Sequence, residues 1–130
     1  MGYNIKVQSG SITIPKENQA KVLEIWKELN DPKHDSKKNG GSYHGGEKYQ
    51  AWYSWMTHDY DKTCNTCEDV LDMLGFDFDI LENGDIEVYY FNSKMGQEQE
   101  FFNPISSLIY GKLCWIGEDD EEWEWDFTKA

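Results

Sequence analysis

Tyr3, Ile5 and Val7 alternate with polar residues, and after Ser9-Gly10 apolar positions resume at Ile12 and Ile14. That pattern predicts a β-hairpin with a two-residue turn, Val7 facing Ile12 and Ile5 facing Ile14. Pro15 follows where a first helical residue belongs, and Val22, Leu23, Trp26 and Leu29 recur at helical intervals until Asn30-Asp31-Pro32 stops them. Glu17 and Lys21, four positions apart, are expected to pair on this helix. Residues 31–48 have no period and contain four glycines, so a flexible Gly/Lys-rich loop is expected there. KYQAWYSWM is aromatic on both faces, the pattern of a strand buried centrally in a sheet.

Thr66 and Asp69 have the spacing of a capping box, Val70, Leu71 and Leu74 form an apolar helix face, and Gly75 ends it. FDFDILENGDIEVYYF reads as a hairpin. A two-residue Asn83-Gly84 turn would set Ile80 against Glu87 and mix the faces. A three-residue loop, Glu82-Asn83-Gly84 with Gly84 left-handed, pairs Ile80 with Ile86 and Phe78 with Val88, and is therefore expected. Phe76, Phe78, Ile80, Ile86, Val88 and Tyr90 then point inward. Asp77, Asp79, Asp85 and Glu87 share the outer face with Leu81, Tyr89 and Phe91. EQEFF is expected as a third strand after the turn SKMGQ. Asn103-Pro104 starts a short helix bearing Ile105, Leu108 and Ile109, and Gly111 closes it. KLCWIGEDDEEWEWDF forms the last hairpin, with Trp123, Trp125 and Phe127 on one face and Glu122, Glu124 and Asp126 on the other. The fold class is α+β: an antiparallel sheet of hairpins and a meander, with two to three helices packed on one side.

Composition adds that 130 residues with 15% aromatics make one domain, 1–130, with a real core rather than a disordered chain. Three cysteines cannot all pair within the chain. The start MGYNIKVQSG lacks the apolar stretch of a signal peptide, and no run reaches the roughly 20 apolar residues of a membrane span. A cytoplasmic protein that does not engage the membrane is expected.

Charge changes the picture more. The net charge is −13, and residues 65–130 hold seventeen acids against three lysines. All twelve basic residues are lysine, so the bidentate arginine clamp for phosphates and guanine edges is missing. Direct nucleic-acid binding is not expected, whereas a basic protein partner is physically favoured. Residues 118–126 hold seven carboxylates. Same-face neighbours along a strand, about 6.7 Å apart, repel by about 0.6 kcal/mol in water before screening. The exposed half of that strand is thus acidic at a cost that Thr, Lys or Ser would not incur. The expected partner-binding residues are Asp77, Asp79, Glu87, Glu118, Asp119, Asp120, Glu121, Glu122, Glu124 and Asp126. The function they suggest is an inhibitor mimicking nucleic acid in the basic groove of a nucleic-acid-binding protein. The competing expectation is an interaction module of another kind, using Tyr89 and Phe91 or the 31–48 loop.

Catalytic readings are weaker. Cys64-Asn65-Thr66-Cys67 is a lone C-x-x-C at a helix start, where a lowered thiolate pKa would suit redox chemistry, and His58 and Cys114 would have to complete a zinc site. His58, Asp59 and Asp61 resemble a metal-phosphoesterase fragment, but only His34 and His44 remain as further histidines. Asp77, Asp79, Asn83 and Asp85 miss the calcium-loop spacing. GGSYHGG matches no phosphate-binding loop. Neither enzyme activity, a cofactor nor a bound metal is expected.

GGS at 40–42, YSWM at 53–56, LGF at 74–76, KMGQEQEFF at 94–102 and WIGEDDEEWEWDF at 115–127 together resemble a loose family of small acidic proteins of bacteria and their phages. That resemblance brings no catalytic residues with it. In size, acidity and lack of arginine the chain is also similar to phage-encoded anti-restriction and anti-CRISPR inhibitors. This similarity implies a restriction enzyme or CRISPR effector as partner, met in the host cytoplasm.

Overall fold

The computed structural model describes residues 3–44 and 47–127. The first surprise is β1, Asn4–Ile14, an unbroken eleven-residue strand where a hairpin was expected. Strict alternation would put Ile5 and Val7 on one face and Ile12 and Ile14 on the other. A bulge resolves the conflict: against β7 (Tyr110–Gly117), Val7 faces Trp115 while Ser9 already faces Cys114, leaving Gln8 as the extra residue. Ile5, Val7, Ile12 and Ile14 are consequently all buried on one face. Gly10 does not turn the chain. It has φ +93°, and a Cβ there would lie 2.1 Å from the Lys112 carbonyl oxygen.

β1 is the middle of an antiparallel sheet. On one side it pairs with β7 over its whole length; on the other, its end pairs with β5 (Ile86–Tyr90) and its start with β6 (Asn92–Lys94). β4 (Asp77–Ile80) and β8 (Glu122–Asp126) form the two edges, giving the order β4-β5-β1-β7-β8. The β4–β5 loop is the expected three-residue one: Phe78 faces Val88, Ile80 faces Ile86, and Gly84 has φ +94°. Ile80 is nonetheless 53% exposed, because it is the last residue of an edge strand. Phe91 is buried against Phe76 and Trp115, not on the outer face. Val88 faces Ile12 but Ser93 faces Ile5, so β5 and β6 change phase opposite the bulge of β1, and Phe91 turns inward.

The helices lie on the buried side. α1 (Gln19–Glu28) is entered through a 3-10 turn, Lys16–Asn18, after Pro15, and buries Val22 and Trp26. Glu17 falls in that turn, and Lys21 pairs with Glu24 (3.2 Å) instead. α3 (Cys67–Leu74) has the expected capping box, Thr66 accepting from the Asp69 N–H, and ends at left-handed Gly75. EQEFF is a short helix, α4 (Glu98–Phe102), rather than a strand; both Phe101 and Phe102 are buried, so its pattern suits neither period. The Asn103–Ile105 stretch is a single 3-10 turn, and Gly111 belongs to β7. None of the described helices is long and apolar enough to cross a membrane.

Residues 31–64 depart furthest from expectation. The stretch read as an aperiodic loop forms a 3-10 helix, Pro32–Lys37, then β2 (Gly40–His44), which pairs only with β3 (Glu47–Trp52) in a separate two-stranded sheet. Gly45 and Gly46 lie outside the described residues. KYQAWYSWM is thus not a central strand. Its large buried members Tyr53 and Met56 follow β3, with Trp55 at φ +76°, and only the small Ala51 is buried within the strand among its described side chains. What docks this segment is the C-terminus of α1, whose last carbonyls lack helical partners. Tyr60, the first residue of α2 (Tyr60–Thr63), donates its hydroxyl to the Trp26 carbonyl (2.6 Å) and Tyr53 to the Leu29 carbonyl (3.1 Å). Lys38, buried, donates to the Asn30 carbonyl (3.1 Å) and pairs with Asp35 (2.8 Å). A cation at this end also suits the helix dipole. From the other flank, Gln97 accepts from the Asn39 and Ser54 N–H groups and donates to the Lys37 carbonyl. Beside it the buried Glu98 carboxylate accepts from Gly96 N–H.

Two stability predictions follow from these contacts. Gly10→Ala is expected to cost about 2–3 kcal/mol in urea denaturation, through backbone strain and the clash across the β1–β7 ladder; a loss indistinguishable from zero would show that β1 does not need glycine at this position. Burial pushes the Glu98 carboxyl above the usual carboxylate range, against the pull of the Gly96 and Trp55 donors. A raised folded pKa favours folding while the group is protonated, fully below the unfolded value of about 4.3, and the benefit disappears as pH rises through the folded value. The stability of the wild type relative to Glu98→Gln is expected to fall as pH rises above the unfolded value of about 4.3. A relative gain as pH rises would mean that the donors outweigh burial.

Candidate acidic interface

The outer face of the sheet is the side opposite the helices, and the ladder registers place its residues in rows. Asp79 faces Glu87, Glu87 faces Thr13, and Thr13 faces Tyr110. The next rows run Ser11–Lys112–Asp126, Ser9–Cys114–Glu124 and Lys6–Ile116–Glu122. Because Trp125 and Leu113 face each other in the core and Trp123 faces Trp115, the intervening Glu122, Glu124 and Asp126 have to project outward. Val88 and Ile86 impose the same on Glu87. Five of the expected acids, Asp79, Glu87, Glu122, Glu124 and Asp126, therefore share one face, in two groups separated by β1 and β7.

Strands lie about 4.8 Å apart, so the β5 and β8 groups are about 14 Å apart and the β4 and β8 groups about 19 Å. The ground between them carries no acid: Thr13, Ser11, Ser9, Cys114, Ile116 and Lys6 lie there, with Tyr110 (52% exposed) standing proud and Tyr89 (40% exposed) beside Glu87 on β5. Lys112 stands within it and bridges Glu124 at 3.5 Å. Both groups are about half exposed, so this pair is worth little in stability but locally lowers the negative potential.

The other expected residues are placed differently. A bulge between Asp77 and Phe78 sets Asp77 opposite Tyr90, out of the alternation that carries Asp79. Phe91 is in the core, which removes it from any contact set. In the β7–β8 loop, Glu118 accepts from the Asn4 N–H, and its own N–H donates to the Asn4 carbonyl (2.9 Å). Asp119 accepts from the Tyr3 hydroxyl and from the Glu121 N–H. The Tyr3 donation holds the Asp119 carboxyl below the usual range, and the same bond with the surrounding acids pushes Tyr3 up to about 12. These two carboxylates hold the loop to the N-terminal strand. Asp120, at φ +67°, and Glu121 are exposed at the tip. Tyr3 and the β1 bulge shape this region, and neither carries a local sequence signal, since β1 reaches the loop only through the sheet.

The cysteines do not form a site. Cys64 and Cys67 are buried among the helices, whereas Cys114 sits on the outer face of the sheet. Burial pushes the Cys64 thiol up and Cys67 to about 12, overriding the helix N-terminus that was expected to lower them. Cys67 Sγ instead donates to the Gln19 carbonyl (3.3 Å). Asn30 takes the Asp61 carboxylate (2.7 Å) and the His58 carbonyl (2.9 Å), and His34 meets Glu28 (3.1 Å). The side chain of His44 lies outside the described part. Among the described residues no three of His, Cys, Asp or Glu are grouped to hold a metal ion.

Comparison with known protein families, curated proteins and solved structures finds no match to this chain. The acidic sheet face is therefore interpreted from its own chemistry.

In native protein, iodoacetamide is expected to modify Cys114 first and to reach Cys64 and Cys67 only on unfolding, because thiolate formation needs solvent. Peptide mass mapping over time reads the order; early labelling of Cys67 would contradict its burial.

Proposed function

We propose that this protein is a stoichiometric, non-enzymatic inhibitor whose outer sheet face docks on the basic nucleic-acid-binding surface of another protein. What supports the reading is the constraint just described: packing of Trp115, Trp123, Trp125, Ile86 and Val88 commits acids from both flanks of the sheet to one solvent-facing side. The two groups lie about 14–19 Å apart, wider than the roughly 12 Å major groove between phosphate rows but of the same order. Along β8 a carboxylate recurs about every 6.8 Å, against one phosphate per 3.4 Å of each duplex strand. The face thus has half the linear charge of one strand, reduced further at Lys112. Charge steers the encounter, and Tyr89 and Tyr110 supply the buried aromatic contact that a stable interface needs. The general likeness to phage inhibitors of host defence makes a restriction or CRISPR nuclease a suitable partner.

The contact set of this reading is Asp79, Glu87, Glu122, Glu124 and Asp126 with Tyr89 and Tyr110. The triple variant Glu122→Gln, Glu124→Gln, Asp126→Asn is expected to melt at the same or a higher temperature, because like-charge repulsion is relieved. It is also expected to lose the nucleic-acid-binding proteins that wild type retains from lysate and that added duplex DNA or RNA displaces. Retention should fall steeply between about 0.05 and about 0.5 M salt. Proteins held equally by the triple variant, and indifferent to salt and competitor, would overturn the charge-based reading. If Tyr89→Ala then released them, the aromatic part of the face would be the binding element.

A further inference from the structure

On the helical side of the sheet, beside the β7–β8 loop, a cleft is built from different residues. Tyr3 and Trp123 stand 25° from parallel with ring centroids 6.5 Å apart. Trp123 is backed by Trp115, stacked at 6° and fully buried, so its ring is held in place. Tyr3 lies across Gly117, where any Cβ would meet its ring. With Met95, Asp119 and Glu121 these rings line an open cleft of about 350 Å³, at the lower end of the range for ligand sites.

The lining combines two aromatic faces and a thioether with two carboxylates. An anion is repelled by it, and a neutral apolar group would strip water from Asp119 and Glu121 with nothing in return. A metal ion would find only two carboxylates. An organic cation satisfies both halves, since ring faces attract positive charge and the carboxylates neutralise it. The hydrogen bonds from Tyr3 and from the Glu121 N–H fix Asp119 before any ligand arrives. Met95 is 45% exposed and gives an apolar shelf for a methylene stem.

We propose that this cleft receives the ammonium group of a lysine side chain presented by a protein partner, with the stem on Met95 and the charge between the rings and Glu121. The chain itself, at −13, attracts lysine-rich surfaces and repels acidic ones. The site shares no residue with the outer-face contact set, so either can fail without the other.

The probe is N-acetyl-lysine methylamide, titrated into isotope-labelled protein and followed by NMR. The Trp123 indole N–H, the Met95 methyl and the Glu121 amide are expected to shift together, with a Kd on the order of 1–10 mM. The analogue acetylated on its side-chain nitrogen, which is neutral, should leave them unmoved. Glu121→Gln, a change at an exposed position, should weaken binding roughly threefold. The triple variant of the outer face should bind as the wild type does. Equal shifts with the neutral analogue, tighter binding of the arginine counterpart, unchanged affinity in Glu121→Gln, or no shift up to about 50 mM would each overturn the assignment.

Discussion

One strand has to serve three partners with a single apolar face, and the rest of the sheet depends on how it does so. β1 pairs with β7 along one side and with β5 and β6 along the other. Its apolar residues fall in two sets of opposite phase, which a regular strand would send to opposite sides. The extra residue at Gln8 brings the sets into register, and the neighbouring strands follow with their own phase change at Phe91. Had β1 stayed regular, either Ile5 and Val7 or Ile12 and Ile14 would face water, and the acids of the flanking strands would no longer share a side.

The same constraint explains what the sequence could and could not disclose. The α3 capping box, the three-residue loop at 82–84 and the inward tryptophans of β8 depend on neighbours within a few positions, and all are found as read. Ser9-Gly10 suits a turn as well as the interior of a strand that needs a glycine at positive φ, and only the register against β7 separates the two. EQEFF is ambiguous for another reason: a five-residue helix buried on two sides shows neither period. Lys38 and Gln97 look like solvated loop residues, yet both are buried because they satisfy backbone groups of the 30–39 and 54 segments. Of the expected site, the five outer-face acids could be read from strand alternation. The diversion of Glu118 and Asp119 to hold Asn4 and Tyr3 could not, since those contacts span more than a hundred residues.

The acids thus divide into two kinds of work. Glu118, Asp119, Asp85 and Asp69 accept hydrogen bonds from the chain and fix loops or a helix start. Glu122, Glu124, Asp126, Asp79 and Glu87 are turned to the surface by their buried neighbours and concentrate negative charge there, Glu124 beside Lys112. Selection for stability alone accounts for the first kind. The second kind is what the proposed docking role would account for, with Lys112 moderating the charge at the centre of the face.

Among the described residues β8 pairs with β7 alone, which makes it an edge of the sheet. An edge strand would accept the same strand from another molecule, and three carboxylates in five residues make that approach unfavourable. Added salt screens this guard while the tryptophans beside it stay apolar. High ionic strength therefore turns the chain's best-protected border into its stickiest one, and self-association through β8 should precede loss of the core.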